Sequence, residues 1–158
     1  MATRAHEFRF SSPKTIEEAY NHSDGYPDGL GDALKTHYND NTEVADLIGG
    51  GNWSYMDDES GDVSYYNERP TILQDDNMDE LLFKLSDVVQ GGDYAYMWDG
   101  EKWFTYKVGS RERFVADVAN DMGVNIDTSD MMLEKYERKW KKFIEPQTMG
   151  STPPSGIP

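Results

Sequence analysis

The chain has 158 residues with 30 acidic and 15 basic side chains, a formal charge of −15, 13% aromatic residues and no cysteine. This length suits one domain with its own core, and the lack of cysteine excludes disulfides, thiolate metal sites and cysteine nucleophiles. The charge argues against direct nucleic-acid binding, which needs a basic surface, and the aromatic content argues against a disordered acidic tail.

In chain order, Ala5 to Phe10 alternates weakly and reads as a first strand, broken at Ser11-Ser12-Pro13. Thr15 to Tyr20 fits either a second strand or a short helix. A turn rich in Gly and Asp follows from Asp24 to Gly31, then a helix from Gly31 to Tyr38. Thr42 is placed to cap a short helix carrying Val44, Ala45, Leu47 and Ile48, which Gly49-Gly50-Gly51 stops. Asn52 to Pro70 shows no clear period and holds one expected strand, Val63 to Tyr66. Met78, Leu81, Leu82, Leu85, Val88 and Val89 form a helical stripe, with Asn77 and Glu80 as a capping box and Gly91-Gly92 as the stop. Tyr94 to Val108 reads as a hairpin around Asp99-Gly100, a dipeptide suited to a two-residue turn. That register sets Tyr96 opposite Trp103, with Tyr94 and Trp98 on the same face.

Arg111 to Met122 is helical, with Phe114, Val115, Val118, Ala119 and Met122 inward and Gly123 as the stop. A last helix is expected from Asp130 to Ile144, then a flexible Pro-rich tail over 146–158. The mixed order predicts an α+β fold: a small antiparallel sheet, made of the N-terminal strands and the 94–108 hairpin, packed with about four to five helices in one domain over 1–145. No apolar run reaches the length of a membrane span, and no secretory signal opens the chain, so a cytoplasmic protein without membrane attachment is expected.

Charge is unevenly spread. Asp40 to Asp93 holds fourteen acids and two bases, Arg69 and Lys84, whereas Met131 to Glu145 holds five bases and three acids. Such a field serves solubility, or it targets a basic site on another macromolecule. The candidate partner-binding acids are Asp57, Asp58, Glu59, Asp62, Asp75, Asp76, Asp79, Glu80 and Asp87.

The densest local signal is His22-Ser23-Asp24-Gly25-Tyr26-Pro27-Asp28-Gly29-Leu30-Gly31. A helix starting behind a glycine-rich turn can aim its first amides at an anion. His22 and Asp24 lie on the same side if the segment is extended, which suits acid–base chemistry. The ligand-binding candidates are therefore His22, Asp24, Tyr26, Gly29 and Gly31, with His22 and Asp24 as the catalytic pair if the protein is an enzyme. The competing reading is architectural: Asp24 closes an Asx turn, Pro27 fixes φ, and Asp28 caps the helix. The crowded carboxylates of Asp24, Asp28 and Asp32 also oppose phosphate binding.

This His-x-Asp-Gly-Tyr-Pro-x-Gly-x-Gly string resembles a motif of small uncharacterised bacteriophage and bacterial proteins, in which a strand ends in a similar turn before a helix. The 94–108 hairpin and the Leu47-Ile48-Gly49 helix end resemble their later segments. Many of those proteins carry an aromatic residue where this chain has Ser23. The resemblance implies a bacterial cytoplasm as the setting and implies no catalytic residue.

Other motifs exclude more than they suggest. Aligning Gly61 with the sixth position of a calcium loop leaves Met56 at the first and Asn67 at the twelfth, so Asp57 to Asp62 is not an EF-hand. The Tyr94, Tyr96, Trp98 and Trp103 row is either a stacking platform or a core face. No phosphate loop, zinc-protease helix or nucleophile elbow occurs, and no cofactor or metal is implied. The leading expectation is a small acidic phage-type accessory protein that binds a host protein with a basic surface, including by mimicking nucleic-acid charge. The alternatives are a small-molecule, nucleotide or hydrolytic pocket at the 22–27 turn, and a virion or assembly component.

Overall fold

The computed structural model describes residues 2–124 apart from residue 68. The expected helix over 130–144, the tail over 146–158 and the domain boundary at 145 lie outside the described residues. Seven strands form one mixed sheet, in the order β4–β3–β2–β1–β6–β7 with β5 beside β2. They are β1 (Ala5–Ser12), β2 (Thr15–Asn21), β3 (Asn52–Met56), β4 (Val63–Asn67), β5 (Thr71–Gln74), β6 (Tyr94–Trp98) and β7 (Trp103–Lys107). Four α-helices are described: α1 (Asp32–His37), α2 (Asn41–Gly49), α3 (Met78–Val88) and α4 (Arg111–Met122). The α+β class holds, but the sheet is larger than the small antiparallel one expected. β1 runs parallel to β6 and β2 parallel to β3, the remaining pairs being antiparallel.

β1 is central and covered on both faces, so Ala5, His6, Glu7 and Phe8 are all buried. On one face Ala5, Ala19, Trp53, Tyr96, Trp98 and Trp103 pack with Leu30, Ala33 and Leu34 near α1 and with Val44, Leu47 and Ile48 of α2. On the other, Phe8 meets Phe114 of α4 edge to face at 6.3 Å, and α3 packs beside α4 over β2 and β5. Double coverage is why β1 and β2 alternate weakly: a strand with two buried faces has no solvent side to mark in polar residues. The segment 15–20, ambiguous in sequence, is strand.

Three local expectations need correction. The β6–β7 loop has four residues, not two. The Asp99 carboxylate accepts the amides of Glu101 (2.8 Å) and Lys102 (2.7 Å), and Gly100 takes φ 103°. Trp98 therefore faces Trp103, and Tyr96 faces Thr105. A slip of two leaves each side chain on its predicted face, and the aromatic row is core, with Tyr96 fully buried. Secondly, α2 is capped by Asp40, whose carboxylate accepts the Glu43 amide at 2.8 Å, rather than by Thr42. Thirdly, Asp28 caps nothing: a single π-helical turn over Pro27–Gly31 precedes α1, with no side-chain cap at either start. Strands β3 and β5 were not expected; β3 is short and bulged against β4, and β5 has four residues.

Candidate functional site

The 22–31 turn is joined to the sheet by its backbone. His22 and Ser23 donate their amides to the Trp53 and Ser54 carbonyls (3.2 and 2.8 Å), and the Gly25 amide donates to the Thr3 carbonyl at 2.9 Å. The Tyr96 hydroxyl donates to the Gly25 carbonyl at 2.6 Å. A Cβ on Gly25 would stand 2.7 Å from that of Ala5, so only glycine fits there. The turn also uses its own amides. Leu30 donates to Asp24, Gly29 and Gly31 donate to Tyr26, and Asp32 donates back to Gly29 and Pro27. The amides of Gly29, Leu30, Gly31 and Asp32 are thus spent on the turn itself.

Asp24 takes φ 59°, so the segment is not extended and the same-side argument for His22 and Asp24 does not apply. The exposed His22 pairs instead with the Tyr20 hydroxyl, its Nδ1 at 2.9 Å. Tyr26 remains 41% exposed, with Gly29 seated against its ring. Gly31 is buried beside Tyr96. The five candidates share one turn, whose geometry serves the architecture.

The nine acidic candidates fall into two groups. Asp75, Asp76, Asp79, Glu80 and Asp87 belong to α3 and the loop before it, where bases meet several of them. Lys84 reaches Asp75 at 3.2 Å, Lys14 reaches Asp76 at 3.4 Å, and Arg111 reaches Asp87 at 2.5 Å. Asp57, Asp58, Glu59 and Asp62 occupy the β3–β4 turn. There the Asp57 carboxylate accepts the Glu59 and Ser60 amides at 2.9 and 3.0 Å, bonds that hold its pKa below the usual carboxylate range. His37 Nε2 contacts the Asp58 carbonyl at 3.0 Å. Among the described residues, no Lys or Arg forms an ion pair with these four acids.

Polar groups inside the sheet escaped the sequence reading. Glu7 is fully buried on the α1–α2 face beside its strand partner Tyr96, and neither carboxylate oxygen has a hydrogen-bond partner. Burial, and then the negative charge of Glu18, push its pKa well above the ordinary range, against a smaller opposing effect of the residue's own backbone N–H. On the opposite face, His6 Nδ1 lies 2.5 Å from Glu18 Oε2, while His6 Nε2 is buried without a partner. Gly92 leaves room for that ring, since a Cβ there would meet His6 Cδ2 at 2.7 Å. The signal was present in the sequence: charged residues in the middle of strands with no free face.

A cleft of about 630 Å³ opens at the carboxyl ends of the parallel strands β1 and β6, lined by Arg9, Phe10, Asn41, Met97, Trp98 and Asp121 among others. Its polar groups already serve the protein. Arg9 Nε donates to Glu17 at 2.9 Å, the Trp98 indole to Asn41 at 2.7 Å, and the Tyr106 hydroxyl to Asp121 at 2.7 Å. Among the described residues, no three His, Asp or Glu side chains are placed to hold one metal ion, and no helix is long and apolar enough to cross a membrane.

Among the described residues, one sheet face is left without a covering helix. α3 and α4 lie over β1, β2 and β5, and beyond them Tyr20, His22 and Tyr66 share a sheet face. Tyr66 is 58% and Tyr55 49% exposed. Burial raises the pKa of the Tyr20 phenol, Arg4 partly offsets this, and Tyr66 adds to it. Tyr65, on the other face, is structural: its hydroxyl donates to the Leu47 carbonyl at 2.7 Å, and its ring lies against Gly50. In comparisons with known proteins, no family model, curated protein or solved structure matches this chain.

Proposed function

We propose that this chain is an acidic accessory protein of phage type that acts in a bacterial cytoplasm by binding and modulating a host protein with a basic surface. The observation that carries the reading is the β3–β4 turn, whose exposed carboxylates have no cationic partner among the described residues. Desolvating unpaired surface charge is costly unless a partner supplies the opposite sign, so such a patch favours basic partners and speeds their encounter. A pocket at the 22–27 turn has less support, because the amides of His22, Ser23 and Gly25 and the close approach of Gly25 to Ala5 are used in holding the fold.

Affinity capture from bacterial lysate tests the proposal, followed by titration of the purified partner at low and high salt. A stoichiometric partner whose affinity falls as salt rises supports it. A partner bound equally well at both salt levels, or none at all, refutes it. Displacement of the protein from that partner by nucleic acid would show that the carboxylates take the place of phosphates.

A further inference from the structure

We infer that the β3–β4 hairpin docks an extended, arginine-rich segment of the protein partner, added as a strand along β4 with its arginines over the open tyrosine face. The inference rests on the acidic-binder reading and supplies its surface and the chemistry it recognises.

Three observations meet at this hairpin. β4 ends the sheet and, among the described residues, pairs with β3 alone. Proteins usually protect such an edge with lysine or proline. β7, at the other end of the sheet, finishes on Lys107, whereas Val63–Asn67 carries no charge and no proline. The backbone groups of β4 are thus a template for an incoming strand. Next to it lies the face with Tyr20 and Tyr66, which no described helix covers, and Tyr55 is exposed on β3. At its tip are Asp58, Glu59 and Asp62, and residues 52–67 contain four acids and no Lys or Arg.

Arginine answers both halves of this surface. Its planar guanidinium stacks on tyrosine rings and bonds carboxylates through two N–H groups, which the compact lysine ammonium does not match. A five-residue strand spans about 17 Å, and its side chains alternate between faces, so arginines spaced two apart would all lie over the tyrosines. A second copy of this chain fits poorly, because its β4, Val63–Asn67, has no arginine to offer the tyrosines and carboxylates. Nucleic acid fits poorly because its phosphates would meet unpaired carboxylates.

The test uses the full chain and a fluorescent heptapeptide of alternating arginine and threonine, read by anisotropy. Controls are its lysine counterpart and a peptide with the same residues but contiguous arginines. Tyr66→Ala should weaken binding by about fivefold, and the double variant Asp58→Arg, Glu59→Arg by about tenfold or more. Both substitutions sit at exposed positions, and circular dichroism checks the fold. Asp76→Lys and Asp79→Lys, at the start of α3, should change the affinity by less than about twofold. Equal losses from the α3 variants, no effect of the hairpin variants, or no binding by the wild type would overturn the docking site. The lysate capture is independent of this result, so the broader reading stands or falls separately. Equal binding of the contiguous-arginine peptide would overturn strand addition.

Discussion

Glu7 provides the most direct test of the fold's electrostatics. A carboxyl buried without a hydrogen-bond partner costs about 1–3 kcal/mol even when neutral, and ionising it costs more. Because burial raises its pKa in the folded state, the native chain holds a proton that the unfolded chain releases near pH 4.3. Between that pH and the folded pKa, the native state binds more protons. The stability from this group is therefore fully present below about pH 4.3 and falls by about 1.4 kcal/mol per pH unit until the folded pKa is passed. Glu7→Gln keeps the shape and removes the titration. Unfolding of both proteins in urea from pH 5 to 8, followed by tryptophan fluorescence, should show the variant gaining on the wild type as pH rises. The difference between the two proteins cancels the other carboxylates. A difference that stays flat over this range, or one that favours the wild type at high pH, would refute the assignment of Glu7 as a strained, protonated acid.

Other outcomes follow from the same contacts. Gly25→Ala should lower stability by about 1–3 kcal/mol in thermal or urea unfolding, through overpacking against Ala5. His22→Ala, at an exposed position, should cost less than about 1 kcal/mol. The reverse order would return the turn to a functional reading. Asp99→Ala should cost about 1 kcal/mol in the same assay by freeing the amides of Glu101 and Lys102. Alkaline titration at 295 nm should find Tyr65 ionising near 12, raised chiefly by burial. Its folded pKa lies above the unfolded value of about 10, so its stabilising contribution is present below pH 10 and lost as pH rises through 12. Tyr65→Phe removes that late step if the assignment is right.

Elements with a solvent side were legible. The helices at 78–88 and 111–122 each pair an apolar stripe with a polar face, and Asn77 and Gly123 mark the start of the first and the end of the second as capping chemistry requires. The central strands were harder, because β1 and β2 are buried on both sides and their charged residues imitate a polar face. His6, Glu7 and Glu18 are buried there all the same. The turn at 99–102 misled in a different way. Asp-Gly suits a two-residue hairpin, but here the aspartate side chain organises a longer loop, a choice that depends on the next two amides.

The candidate site was half legible, for an electrostatic reason. Counting charge from 40 to 93 locates an acidic segment, but it treats all acids alike. Ion pairing is set by the fold: Lys14 of the β1–β2 turn and Arg111 of α4 are distant in sequence from the acids they meet at α3. The β3–β4 turn lies by α1 and, among the described residues, has no such base within an ion-pair distance, only His37. Salt screens exposed charges beyond about 8 Å at physiological ionic strength, so the pairs at α3 cannot neutralise a field elsewhere on the surface. Among the described residues, the acids of this turn belong to the acidic excess that no Lys or Arg pairs at short range, and they lie beside the open β4 edge. A partner that exploits it must meet carboxylates, tyrosines and free backbone at once, a demand far more selective than net charge.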